Sequence, residues 1–180
     1  MYKLYKQLYI SSMLFFSFLL ITAYAEENAD QLKSLNTPKI LTITLAGDVG
    51  LNANNLKVRP NGVYDGRFQT WKDTTASIAK EINGDLNFVN IETVVTNRNN
   101  LRPDRKGQRN PYNFRMHPNG LNHLVTIGFN LLSLANNHSM DYGVPGLQET
   151  LKHTVALKKI GINVTYAGIG MNREEASRPQ

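Results

Sequence analysis

The sequence predicts a layered α/β domain built on a largely parallel sheet, and three observations predict it. Short runs of β-branched and aliphatic residues recur four times after residue 39, each of a length suited to a buried strand. Between them lie segments with apolar residues at near-helical spacing and glycine at their ends. Strand and helix therefore alternate, which requires right-handed crossovers and a parallel sheet with helices on its faces.

The first 25 residues stand apart from that pattern. Lys3 and Lys6 precede an apolar run from about Leu8 to Ala23, and Ala23-Tyr24-Ala25 offers a small-x-small cleavage site, the order of a secretory signal. An uncleaved anchor is the alternative, although the run is near the short end for a spanning helix. Residues 26–38 are mixed and polar, with Pro38 near the end, and read as a linker to a domain over 39–180. The expectation is an exported protein, periplasmic, extracellular or anchored facing outward.

The chain has no cysteine, so disulfides and thiol chemistry are excluded and packing alone holds the fold. Setting aside Lys3 and Lys6 leaves 18 basic and 14 acidic residues, a net charge of +4. That balance favours anionic neighbours but is too weak to argue for nucleic acid, and no nucleic-acid motif accompanies it.

Lys39–Ala46 (KILTITLA) reads as a buried strand ending at Gly47-Asp48. Thr70–Ile82 places Trp71, Ile78 and Ile82 at near-helical spacing, with Asn83-Gly84 as a stop. Asp85–Ile91 is a second strand, followed by a polar loop to about Met116. A helix over Pro118–Ile127 turns Leu121, Leu124 and Val125 inward and closes at Gly128, before a third strand, Phe129–Ala135. Pro145–Ile160 is a longer helix with Leu147, Leu151 and Val155 at four-residue spacing and Gly161 just beyond. A fourth strand, INVTYAG, leads to a helix start capped by Asn172.

Three of the four strands end in a polar cluster: Gly47–Asn52 (GDVGLN), Asn90–Thr93 (NIET) and Ala135–Asp141 (ANNHSMD). Parallel strands place such ends on one edge, where α/β sheets bind ligands. Asp48, Asn90, Glu92, Asn136, Asn137, His138 and Asp141 can therefore converge. Carboxylate and amide oxygens beside one imidazole suit a divalent cation (Mg, Mn, Zn or Fe) at a hydrolytic centre. Each piece also has a plainer reading. Asp48 suits a turn or cap, and His117, His123 and His153 read as structural histidines. Glu92 is harder to place so simply, because a carboxylate behind Phe88–Ile91 is costly unless paired.

Together, GDVGLN, DLNFVNIET, GFNLLSLANNHSMDYGVPGLQETL and GINVTYAGIGMNREEA resemble the amino-terminal half of the capsule synthesis protein family CapA, or poly-γ-glutamate synthesis protein family. The resemblance runs from about Ile40 to Pro179. This family is similar in fold to the calcineurin-like metallophosphoesterases. The resemblance implies a layered metallophosphoesterase-like sheet, truncated here after the fourth predicted strand, with a metal or phosphate site at the strand ends. It assigns metal-ligand positions to Asp48, Asn90, Glu92 and Asn137 and a general-acid role to His138. Asn136 and Asp141 read as residues that orient the loop and cap the helix that follows. Gly50 stands where phosphoesterases commonly carry a histidine, and no Gly-His-x-His-like element follows, so the implied ligand set is incomplete and catalysis by this chain is open.

The loop Thr93–Met116 carries Arg98, Arg102, Arg105, Lys106, Arg109 and Arg115 against Asp104 alone. Arg98, Arg102, Arg105 and Arg109 form an expected collar for an anionic polymer or phosphorylated substrate, since guanidinium pairs bidentately with carboxylate and phosphate. A solvated basic loop is the plainer alternative. Three functions follow as expectations: capsule or poly-γ-glutamate synthesis alongside membrane partners of a polymer synthase, a secreted metallophosphoesterase of other scope, or a non-catalytic subunit that holds an anionic polymer.

Overall fold

The computed structural model describes residues 40–52, 56–159 and 163–180. The expected signal segment and linker, and the helix stop at Gly161, lie outside the described residues. In chain order the elements are β1 (Ile43–Asp48), β2 (Gly62–Asp65), β3 (Arg67–Thr70), α1 (Trp71–Thr75), β4 (Leu86–Asn90), β5 (Val94–Val95), β6 (Arg115–Met116), α2 (Pro118–Thr126), β7 (Leu131–Ser133), α3 (Gly143–Lys159), β8 (Thr165–Ala167) and α4 (Arg173–Ser177).

The main sheet is parallel throughout, in the order β1-β4-β7-β8. Val89, Leu132 and Tyr166 share one row of that sheet and one face, and all three are buried. They pack with Leu121, Leu124 and Val125 of α2 and with Leu157 of α3 in a single core that also holds Ile91, Met116 and Phe129. Gly128, at φ +119°, ends α2 where a Cβ would stand 2.7 Å from the Ile82 carbonyl, a place that only glycine fills without strain.

Four expectations need correction. β1 is not a buried strand: it is the edge of the sheet, and Ile43 and Leu45 are 52% and 75% exposed. The helix expected to reach Ile82 stops after Thr75 and resumes only as a 3₁₀ turn over Ala79–Glu81. Thr74 and Thr75 hydroxyls donate back to the Trp71 carbonyl at 2.7 and 3.2 Å, a local bond that competes with helix propagation.

In α3 the inward stripe runs through Leu147, Thr150, Thr154 and Leu157, while Val155 is exposed. The threonines tolerate burial because their hydroxyls donate to the carbonyls of Gly146 at 3.2 Å and Thr150 at 3.0 Å. Finally, the polar loop after β4 contains its own two-residue parallel ladder, β5 with β6. The β2–β3 hairpin was not foreseen, although Asp65-Gly66 between alternating residues is a hairpin signal and Gly66 has φ +75°.

Candidate functional site

Strand register brings the polar strand ends together. Asp48 lies opposite Asn90, and Asn90 opposite Ser133, so the last residues of β1, β4 and β7 form one row. The β1–β4 register shifts between Leu45 and Asp48, and such a bulge re-aims the side chains beyond it. Val49 N–H then donates to the Asn90 carbonyl at 2.9 Å, which fixes the chain leaving β1.

Asn90 is the hub of this row. Its Nδ2 donates to Asp48 Oδ1 at 2.8 Å and also to Glu92 Oε2, so one amide joins two carboxylates from different strand ends. Asn90 Oδ1 accepts from Asn136 Nδ2 at 3.2 Å, and Asn136 donates again to the Ile91 carbonyl at 2.9 Å. Asn136 Oδ1 accepts the His138 N–H at 3.0 Å, an Asx turn. Ser139 Oγ closes the loop by donating to the Leu134 carbonyl at 2.6 Å and accepting from Asn136 N–H at 3.2 Å.

His138 is buried, and its Nδ1 stands 2.7 Å from Asp141 Oδ2. Its ring packs on Phe114 with centroids 4.3 Å apart at 55°. Asp141 is fully buried; Oδ2 also accepts the Phe114 N–H at 2.5 Å, and Oδ1 is ion-paired with Lys106 Nζ. Because a carboxylate only accepts, the short contact to Nδ1 makes that nitrogen the donor and leaves Nε2 for a ligand. Asp141 thus orients the histidine directly instead of capping α3.

Asn137 is exposed, and its side chain makes no hydrogen bond to the described residues, while its carbonyl accepts from Lys106 Nζ at 3.1 Å. Arg98 and Arg102 border a groove of about 410 Å³ with Leu101, Tyr142 and Pro145. Arg105 and Arg109 are exposed. Arg115 turns inward, donating Nε–H to the Leu56 carbonyl at 2.9 Å and lying 5.2 Å above the Tyr142 ring. The sequence marks Lys106 only as one of the loop's cations, and it does not mark Phe114. Nothing local marks their roles, since these depend on how residues 104–114 fold back on the His138 loop.

The other histidines sit in structural settings. His117 caps α2 by accepting Asn119 N–H at 3.1 Å, and His123 Nε2 meets Thr75 Oγ1 at 2.8 Å. His153 lies 3.6 Å from Glu149 Oε2. Burial lowers the pKa of all three.

Two carboxylates about one amide have the oxygen chemistry that divalent cations take. Among the described residues, however, no three histidines, aspartates or glutamates stand close enough to hold a metal ion. Asn90 presents its NH₂ to the carboxylates instead of an oxygen, so in this arrangement it is a bridge. The donor set fits a cation in kind and falls short in number. Asp48 also borders a largely apolar cavity of about 420 Å³ reaching Trp71, Met116, His123 and Phe129.

A parallel α/β sheet that gathers two carboxylates, an amide hub and a carboxylate-held histidine at its strand ends defines an α/β protein with a strand-end polar site. The pattern of the bacterial capsule synthesis protein PGA_cap family matches residues 42–180, and the chain belongs to that family. It is similar to a probable polyglutamine synthesis accessory protein of Mycobacterium tuberculosis, with 28% identity over 158 residues, covering 73% of this chain and 40% of the relative. An uncharacterized protein of Sinorhizobium fredii is 44% identical over 54 residues, 30% of this chain and 11% of that protein. The chain thus spans 40% of the length of the mycobacterial relative. Among the described residues no helix is long and apolar enough to cross a membrane.

Proposed function

We propose that this chain serves the synthesis of a capsule or poly-γ-glutamate-type anionic polymer outside the cell, with the strand-end cluster as its working site. The observation that carries this reading is the contact chain Asp48–Asn90–Asn136–His138–Asp141. It joins groups 42 and 46 positions apart in sequence, all of them within the family match. Turn chemistry accounts for the Asn136–His138 contact but not for the links from Asn136 to Asn90 and from Asn90 to Asp48.

In this reading Asp48 and Glu92, with the Asn137 side-chain oxygen, contribute to holding a divalent cation, which would neutralise charge on a phosphate or carboxylate oxygen. His138, turned by Asp141, presents Nε2; in its protonated form it delivers a proton to a leaving oxygen. Arg98 and Arg102 supply cationic contacts along a bound anionic chain. The shortage of ligands among the described residues favours a second reading, a non-catalytic subunit that holds the polymer through the same cluster and groove. Phosphodiester hydrolysis by the full chain with added Mn or Zn, lost in His138→Ala, supports the first. Binding of polyglutamate that weakens in Arg98→Ala and Arg102→Ala, with no hydrolysis, supports the second.

A further inference from the structure

Lys106 differs from the exposed arginines of its loop. Arg102, Arg105 and Arg109 are exposed, whereas the Lys106 side chain is 22% exposed and its ammonium reaches the buried Asp141 carboxylate. A turn aims it there. Lys106 has φ +48° and Gly107 φ +66°, Lys106 N–H donates to Asp104 Oδ1 at 2.7 Å, and Gln108 N–H donates to the Arg105 carbonyl at 2.7 Å. A non-glycine residue holds a left-handed backbone only where its surroundings fix it.

The same ammonium donates to the Asn137 carbonyl at 3.1 Å and lies 3.5 Å from His138 Nδ1. It therefore grips the loop on both sides of His138. Since Nδ1 already donates to Asp141 Oδ2, the ammonium cannot bond to it and acts through the carboxylate instead. Asp104 N–H to the Asp141 carbonyl at 2.8 Å and Phe114 N–H to Asp141 Oδ2 complete a seam between the two segments.

We propose that Lys106 is a positioning residue for this site, latching residues 104–114 onto the His138 loop through Asp141, so that His138 is held in one tautomer with Nε2 presented. A fully buried carboxylate is costly unless paired. With the ammonium removed, Asp141 has less reason to stay buried under the ring, and His138 loses the acceptor that fixes its Nδ1–H. The assignment rests on the reading of His138 as a working residue, but its test needs no substrate.

The test is a long-range ¹H–¹⁵N correlation spectrum of the histidine rings in the full chain at mildly alkaline pH. The wild type is expected to show His138 as the single Nδ1–H tautomer, and Lys106→Met, folded by circular dichroism, to lose that single-tautomer signal. An unchanged His138 signal in folded Lys106→Met overturns the latch. Should Lys106→Met fail to fold, the wild type decides. Its Lys106 ammonium protons should exchange on the order of tenfold more slowly than those of exposed Lys57 and Lys72, and equal exchange rejects the proposal. Hydrolysis that needs His138 but is indifferent to Lys106→Met would keep the site and remove the latch. A lost tautomer without any hydrolysis would keep the latch and remove the catalytic reading.

Discussion

Asn136 Nδ2 lies 3.2 Å from Asn90 Oδ1 and 2.9 Å from the Ile91 carbonyl, so a single amide ties the loop after β7 to the end of β4. Asn136→Ala removes both bonds and the Asx acceptor for His138 N–H, leaving partly buried polar groups unsatisfied. The expected cost is about 1–3 kcal/mol, read as a lower urea midpoint with an unchanged slope. An unaltered midpoint would mean that the link contributes nothing.

Asp141→Asn keeps the size of the side chain and removes its charge. Phe114 N–H and His138 Nδ1–H then compete for one amide oxygen, and Lys106 loses its counter-ion. Breaking such a pair from one side should lower stability by about 2–4 kcal/mol, visible as a drop in Tm. Asp104→Asn, on the exposed side of the same seam, should cost well under half of that.

Gly50 is the place to test the missing ligand. A Cβ there would meet the Glu92 carbonyl and the Phe114 ring at 3.5 Å, ordinary contact, so Gly50→His should fold. Its imidazole would add a nitrogen donor beside Glu92. Calorimetric titration with Zn should show affinity raised about tenfold or more over the wild type, and no gain would place position 50 outside the cation's reach.

Stability should fall in mild acid. Burial holds the His123 and His153 pKa below the ordinary imidazole value, and burial followed by the nearby charge of His153 does the same for His117. The unfolded chain takes up protons near pH 6.5, before the folded one does. The stability from these depressed values is therefore present above about pH 6.5 and lost as pH falls through the folded pKa values. Tm measured from neutral pH to pH 5 should decline, and His123→Gln should flatten part of the slope; a flat wild-type profile contradicts this.

The order of the four main-sheet strands and the convergence of their ends were legible because they depend on local signals. Apolar runs mark strands, glycines mark helix ends, and parallel topology places the carboxyl ends of strands on one edge. Exposure of β1 was not legible, since ILTITL has the same composition on a sheet edge as in its centre. Nor was the seam between Lys106 and Asp141, which depends on the path of a long loop. The threonine stripe of α3 escaped because hydropathy does not register hydroxyls that bond to their own helix. Asp48 and Asn90 were expected in one cluster, but their wiring through one amide depends on rotamers and on a β-bulge.

On the proposed reading, the strand-end cluster is a working site. The most direct measurement is phosphodiester hydrolysis by the full chain in the presence of Mn or Zn, compared with His138→Ala and Glu92→Gln. The expected result is metal-dependent turnover that both substitutions abolish while the fold is kept. Turnover that survives both substitutions, or metal binding that is indifferent to Glu92, would contradict it.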